Sequence, residues 1–231
     1  FEENINPKDI SFELILKLDA EDSLADQKEK FDLPEGLIYL DGNSLGAMPK
    51  EVSTYFEKEL REGWATGLIR SWNQKGWHVM PVTLGNRLAP MMGADEGEVL
   101  IVDSTSLNLF KTLVAALKMR PDRSEVVSEK GNFPSDIHVV QGVLNNFFPN
   151  SKLILTGNTD DEIISAINEK TAVVTLTHVN YKTGQIHDMK RITEKAHENG
   201  ALIIWDLAHT LGALPVDLNT VSYTHLRAHE T

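Results

Sequence analysis

Ala201-Leu-Ile-Ile-Trp-Asp-Leu-Ala-His209 decides the fold. Five residues with no polar interruption read as a strand buried on both faces, and such strands belong to parallel sheets covered by helices above and below. The run delivers Asp206 to its carboxyl end, with His209 three residues later. Just before it, Met189–Asn199 reads as a helix stopped by Gly200. Working back, the alternation repeats: Ala172–Leu176 reads as strand, Asp161–Ile167 as helix, Leu153–Leu155 as strand, Glu125–Ser128 as strand and Leu107–Met119 as helix. Val99–Val102 is expected to be the strand that opens the series. Strands alternating with helices predict an α/β fold with a mainly parallel sheet, whose ligands sit beyond the carboxyl ends of the strands.

The composition narrows the function. In 231 residues, 22 Lys and Arg face 34 Asp and Glu, a net charge of −12. That balance argues against nucleic acid, which needs a basic surface to release counterions, and against a polybasic membrane anchor. Hydrophobic content of 41% with 24% charged residues is ordinary for a globular chain. There is no cysteine, so disulfides, thiolate metal sites and thiol nucleophiles are excluded together. No apolar run approaches the roughly 20 residues of a spanning helix, and no signal pattern opens the chain, so the expectation is a soluble, cytoplasmic protein. The sequence begins with Phe1 rather than Met, as a chain with residues missing upstream would.

Ahead of the regular region, Ile10, Leu14 and Leu18 recur at helical spacing in an N-terminal arm. Leu37–Leu40 is a short apolar run leading into Asp41-Gly-Asn-Ser-Leu-Gly46, a turn-forming segment. Pro49 then suits a first helical turn, with Val52, Phe56, Leu60 and Trp64 along one face.

Taken singly, the polar motifs stay ambiguous. Asp206 either caps a helix or pairs with a cation, or it faces the ligand crevice, where a carboxylate also suits magnesium or a ribose hydroxyl. The chain contains neither G-x-x-x-x-G-K-[ST] nor G-x-G-x-x-G, which weakens the nucleotide readings. Asp103-Ser-Thr-Ser106 brings hydroxyls and backbone N–H groups to a helix start, which suits a phosphate and equally suits plain N-capping. Phe133, on the connection Gly131-Asn-Phe-Pro-Ser-Asp136, is either core or a stacking surface for a ligand. Thr177 ends a strand at the ligand face, while His178 is a structural or surface residue unless it binds a metal, and no histidine spacing indicates a metal site. Among the tryptophans, Trp72 beside Arg70 lies in a polar stretch that suits a surface or pocket.

Read in order, Tyr39-Leu-Asp-Gly-Asn-Ser-Leu-Gly46, Asp103-Ser-Thr-Ser-Leu-Asn108, Phe133-Pro-Ser-Asp136, His178-Val-Asn-Tyr-Lys-Thr-Gly184 and Asp206-Leu-Ala-His209 resemble the bacterial kynureninases over roughly residues 30–220. That family consists of fold-type I enzymes that use pyridoxal 5'-phosphate. The resemblance implies a three-layer, aspartate-aminotransferase-like domain, truncated here. It implies hydrolysis of L-kynurenine, and of 3-hydroxykynurenine, to anthranilate or its 3-hydroxy form and L-alanine in tryptophan catabolism, by a homodimer. It further implies that Thr105 and Ser106 hold the cofactor phosphate, that Phe133 stacks on the pyridine ring, and that Pro134 and Ser135 also belong to the cofactor site. Asp206 would pair with the pyridinium nitrogen, with Asp136 near it, while Thr177 and His209 position the ring and phosphate. Asn43, Ser44 and Trp72 match positions on the substrate side.

Two departures accompany the likeness. The family's Schiff-base lysine follows the aspartate by some two dozen residues, and this chain has no lysine after Lys195, so no catalytic residue is assigned and the chain as written is expected to be inactive. Ser222-Tyr-Thr-His-Leu-Arg-Ala-His-Glu-Thr231 also lacks the apolar strand expected there. The expected organisation is therefore an arm over 1–45, an incomplete large domain over 46–220 and an anomalous tail over 221–231, read as a frame or assembly artefact. An open sheet without its remaining strands exposes an edge, so the chain as written should be poorly soluble. Alternatives are another fold-type I lyase such as a cysteine desulfurase, or a degenerate, non-catalytic protein. Resequencing through codon 220 should replace the tail with an apolar strand and a Tyr-Lys pair; a natural gene ending at Thr231 would defeat the artefact reading.

Overall fold

The computed structural model describes residues 10–219, so the 221–231 segment lies outside the described residues. The chain divides into two compact units between Lys75 and Gly76.

In the first unit, Ser11 caps α1 (Phe12–Glu21) by accepting a hydrogen bond from the Leu14 N–H at 3.1 Å. A short antiparallel pair, β1 (Phe31–Asp32) and β2 (Met48–Pro49), brackets the 41–46 turn. Helix α2 (Val52–Lys58) widens into i→i+5 turns over Glu59–Gly67, and α3 is the single turn Ser71–Gln74. Gly63 and Ser71 are the only buried residues among those described here. The face marked by Val52, Phe56, Leu60 and Trp64 remains exposed, and among the described residues the unit has no apolar core of its own.

The second unit opens with α4 (Met80–Leu88) and then builds three layers. Its elements follow as α5 (Thr105–Met119), β3 (Glu125–Glu129), α6 (Pro134–Phe147), β4 (Lys152–Thr156), α7 (Asp160–Ala166), β5 (Thr171–Thr177), α8 (Met189–Glu198) and β6 (Leu202–Asp206). The sheet order is β4-β3-β5-β6, all parallel. The pleat deals alternate residues to opposite faces. Val126, Val173 and Ile204 pack with Leu113, Val140 and Val143 of α5 and α6. Val127, Leu176, Ile203 and Trp205 pack with Ile163 and Ile192 of α7 and α8. The β-branched runs form strands because both their faces are covered this way. Gly200 adopts φ +69° to end α8, and Thr159 with Glu162 forms a capping box at the start of α7. No helix among the described residues is long and apolar enough to cross a membrane.

Two expectations fail: Pro49 lies in β2, ahead of α2, rather than in a first helical turn, and the strand expected after α4 is missing. Val99–Val102 forms no strand. A strand exists only through a hydrogen-bonded neighbour, and this run finds none among the described strands. Its backbone lies instead along α4, where the Ile101 N–H donates to the Pro81 carbonyl at 3.1 Å, and Leu100, Ile101 and Val102 stay partly exposed. Gly85 permits that approach, because a Cβ there would lie 1.9 Å from the Val99 carbonyl oxygen. Gly85→Ala is accordingly expected to lower the urea midpoint of unfolding, although alanine is favoured over glycine by about 1 kcal/mol inside a helix. An unchanged or raised midpoint would show that the run is not held against α4.

Candidate functional site

From β3 the chain passes to β4 on one side and then to β5 and β6 on the other, so the strand order reverses between β3 and β5. Loops leaving those two carboxyl ends part to opposite faces, and the crevice they open is where open parallel sheets bind ligands. Thr177 pairs in register with Asp206, so both side chains project to the face covered by α5 and α6. Both helices run antiparallel to the strands and bring their N-terminal turns to this same edge. The Ser104 hydroxyl caps α5, accepting from the Leu107 N–H at 3.5 Å. Capping thus falls to Ser104, and the half-buried hydroxyls of Thr105 and Ser106 make no hydrogen bond among the described residues. Asp103, at φ +36°, turns the chain into the helix and pairs with Lys111.

Pro134 opens α6 at a position where its missing N–H costs nothing. The preceding Phe133 is 40% exposed and meets Tyr181 edge-on at 4.9 Å, so it is not a core residue. Three asparagines shape its loop. Asn158 Oδ1 accepts from the Gly131 N–H at 3.0 Å, and Asn180 Nδ2 donates to the Gly131 carbonyl at 3.0 Å. Asn132, itself buried, accepts from the Phe133 N–H at 2.8 Å and from the Thr177 hydroxyl at 2.6 Å. Ser135 Oγ donates to the buried Asp136 carboxylate at 3.4 Å. Asp206 Oδ1 accepts from the Ala208 N–H at 2.7 Å, and its carbonyl accepts from the His178 N–H at 3.0 Å. His209 Nδ1 is buried with no hydrogen-bond partner among the described residues.

Of the residues singled out from the sequence, Thr105, Ser106, Phe133, Pro134, Ser135, Asp136, Thr177 and Asp206 therefore lie on elements that reach one edge of one sheet, and His209 follows directly from β6. Asn43, Ser44 and Trp72 belong to the first unit. There Asn43 and Ser44 sit in an exposed turn in which Ser44 Oγ donates to Asp41 Oδ1 at 2.7 Å, and Trp72 lies on α3, half exposed. His178 is buried, with Nδ1 3.0 Å from Thr210 Oγ1, and burial together with the charge of His187 holds it below the ordinary imidazole range.

Polar groups gathered at the reversal point of a covered parallel sheet place the chain among α/β proteins with an open parallel sheet. Within that class the chain belongs to the aminotransferase class-V family, which it matches over residues 38–223. It is 50% identical over 208 residues to a kynureninase of Pseudomonas fluorescens, a match covering 88% of this chain and 50% of that protein. It is 48% identical, over the same shares, to a kynureninase of Burkholderia pseudomallei strain K96243. The chain thus spans about half the length of these curated relatives. Among solved structures, a variant of C-DES with glycine covalently linked to its pyridoxal-phosphate cofactor superimposes with a TM-score of 0.71 at 18% identity, covering 87% of this chain and 54% of that one. The cysteine desulfurase CsdA of Escherichia coli gives 0.69 at 17% identity, over 88% and 53%. At such identity these structures establish the fold.

Sequence reasoning missed two features. Asn132 is one; an asparagine at a strand-to-helix connection ahead of Phe-Pro is the signal that was available. The other is a charged cluster on the opposite face. His187 Nδ1 lies 2.6 Å from Asp160 Oδ1, and its Nε2 lies 3.3 Å from Glu129 Oε1, an ion-pair distance whose geometry falls short of a hydrogen bond. Burial opposes protonation of His187, yet the nearby carboxylates of Glu129 and Asp160 outweigh it and raise the imidazole above its ordinary value. Asp160 likewise stays below the usual carboxylate range despite burial, through His187 and the Asp188 N–H. Because the folded-state value of His187 is raised, its stabilisation is complete below the unfolded value of about 6.5 and is lost as pH rises through the folded value. The urea midpoint of His187→Gln is expected to trail the unmodified protein most at pH 5.5, with the gap shrinking at pH 8.5; a constant gap would show that folding leaves the proton affinity of the imidazole unchanged.

Proposed function

We propose that the complete protein hydrolyses L-kynurenine and 3-hydroxykynurenine to anthranilate or 3-hydroxyanthranilate and L-alanine, with pyridoxal 5'-phosphate as cofactor, as a cytoplasmic homodimer. The observation that carries this reading is the 50% identity to a kynureninase across nearly the whole chain. The desulfurase alternative rests on fold alone.

The donor set suits the cofactor. Among the described residues, Thr105 and Ser106 offer uncommitted hydroxyls at a helix N-terminus, as a phosphate requires, and the buried Nδ1 of His209 has no polar partner. When bound, pyridoxal 5'-phosphate supplies a ring that takes up the electron pair released at the substrate α-carbon. In this reading Thr105, Ser106 and the α5 N-terminus bind the phosphate, and the exposed face of Phe133 stacks on the ring. The Asp206 carboxylate holds a proton on the ring nitrogen, with Asp136 nearby, because an adjacent negative charge favours the protonated form. Thr177 and His209 orient the ring, Pro134 and Ser135 set the start of α6, and Asn43, Ser44 and Trp72 serve the substrate side. The lysine the family uses has no counterpart after Lys195, so turnover is assigned to the product of the complete gene and not to these 231 residues alone.

Protein from the complete gene, supplied with pyridoxal 5'-phosphate, is expected to show a visible absorbance band and to release anthranilate, detected by its fluorescence, from L-kynurenine. A band without anthranilate would redirect the assignment to another lyase of this fold. In Asp206→Asn, turnover should fall by roughly 10²–10⁴-fold, as when a positioned proton-holding group is lost, while the cofactor stays bound. Retained turnover would remove Asp206 from this role.

A further inference from the structure

We propose that Asn132 is a positioning residue that fixes the Thr177 hydroxyl as a hydrogen-bond acceptor, and only an acceptor, toward the ligand; this rests on the cofactor reading above. The direction of every proton in the surrounding chain of hydrogen bonds is forced. The Phe133 N–H can only donate, so the Asn132 side-chain atom 2.8 Å from it must be the amide oxygen. That same oxygen lies 2.6 Å from Thr177 Oγ1, and two acceptors do not share a contact this short unless one supplies a proton. Thr177 therefore spends its single hydroxyl proton on Asn132.

The other end of the amide is held in the same sense. Asn132 Nδ2 lies 3.1 Å from Ser128 Oγ, which lies 2.7 Å from the Thr175 carbonyl oxygen. A carbonyl only accepts, so Ser128 donates to it and must accept from Asn132. A backbone donor at Phe133 and a backbone acceptor at Thr175 thus pin the amide, and flipping it would oppose the Phe133 N–H with an NH2 group. Asn132, Ser128 and Thr177 are all at most 5% exposed, so water does not compete for these bonds. Thr177 Oγ1 keeps a lone pair and has no further proton to give. Any ring group that bonds to it must be a donor, and its protonated state is stabilised. The same amide fixes the backbone at Phe133, so one side chain sets both the polarity beneath the ring and the root of the stacking aromatic.

The test is a pH titration of the visible band in the holoenzyme from the complete gene, with circular dichroism of the bound cofactor as a second readout. Asn132→Ala frees the Thr177 hydroxyl to donate, and the band's midpoint is expected to move down by about one pH unit, a tenfold loss of proton affinity. Thr177→Val removes the acceptor and should move it in the same direction, whereas Thr177→Ser should leave it in place. In the double variant, Asn132→Ala should add no shift to Thr177→Val, since its effect passes through that hydroxyl. Should Asn132→Ala fail to fold, the contrast between Thr177→Val and Thr177→Ser decides. An unmodified protein that develops no band with added pyridoxal 5'-phosphate would overturn the cofactor reading and this inference with it. A normal band whose midpoint is unmoved in Asn132→Ala, or unmoved in Thr177→Val, would overturn this inference alone.

Discussion

Thr177 and Asp206 end neighbouring parallel strands in register, and the sheet's pleat sends both side chains to one face. A slip of one residue would turn the carboxylate toward α7 and α8 and bring Trp205 to the crevice. Register is protected by the core on either side, since Ile203 and Trp205 fill one apolar layer and Ile204 the other. Trp205 adds a polar check, its indole N–H donating to Thr193 Oγ1 at 3.1 Å. A slipped strand would bury polar groups without partners, which costs more than any single contact gains.

The two faces of the sheet's carboxyl edge carry different electrostatics. On the ligand face the buried network around Asn132 is neutral, its protons ordered by backbone groups. The opposite face holds an imidazole between two carboxylates, joining the end of β3, the start of α7 and the residue ahead of α8. That cluster ties three loops, whereas on the face covered by α5 and α6 Asp206 is the strand-end carboxylate beside Thr177. The amino edge is tied differently: Arg120 donates to the Gly200 carbonyl at 2.9 Å and Arg123 to the Thr171 carbonyl at 2.9 Å, closing α5 onto the far strands.

The two units contrast in how they use apolar residues. The second buries the aliphatic side chains of its sheet in two layers, while in the first Phe12, Ile38, Leu40, Phe56 and Trp64 all stay largely exposed. Periodicity alone marks a helix face in either unit, but whether that face is covered depends on what packs against it.

Strands at 125–129, 171–177 and 202–206 and the helices between them were legible because β-branched runs, glycine stops and caps are local signals. The strand-end position of Asp206 follows from the same pattern. Val99–Val102 carries an identical local signal yet forms no strand, because pairing depends on a partner that the run itself does not specify. Asn132 and His187 were not legible: Thr177 lies 45 residues from Asn132, and Asp160 lies 27 residues from His187. A one-dimensional pattern encodes which face a side chain takes along its own strand or helix. Which hydroxyl meets which amide, and which carboxylates enclose an imidazole, was decided only when the reversal of strand order brought separate loops to one edge.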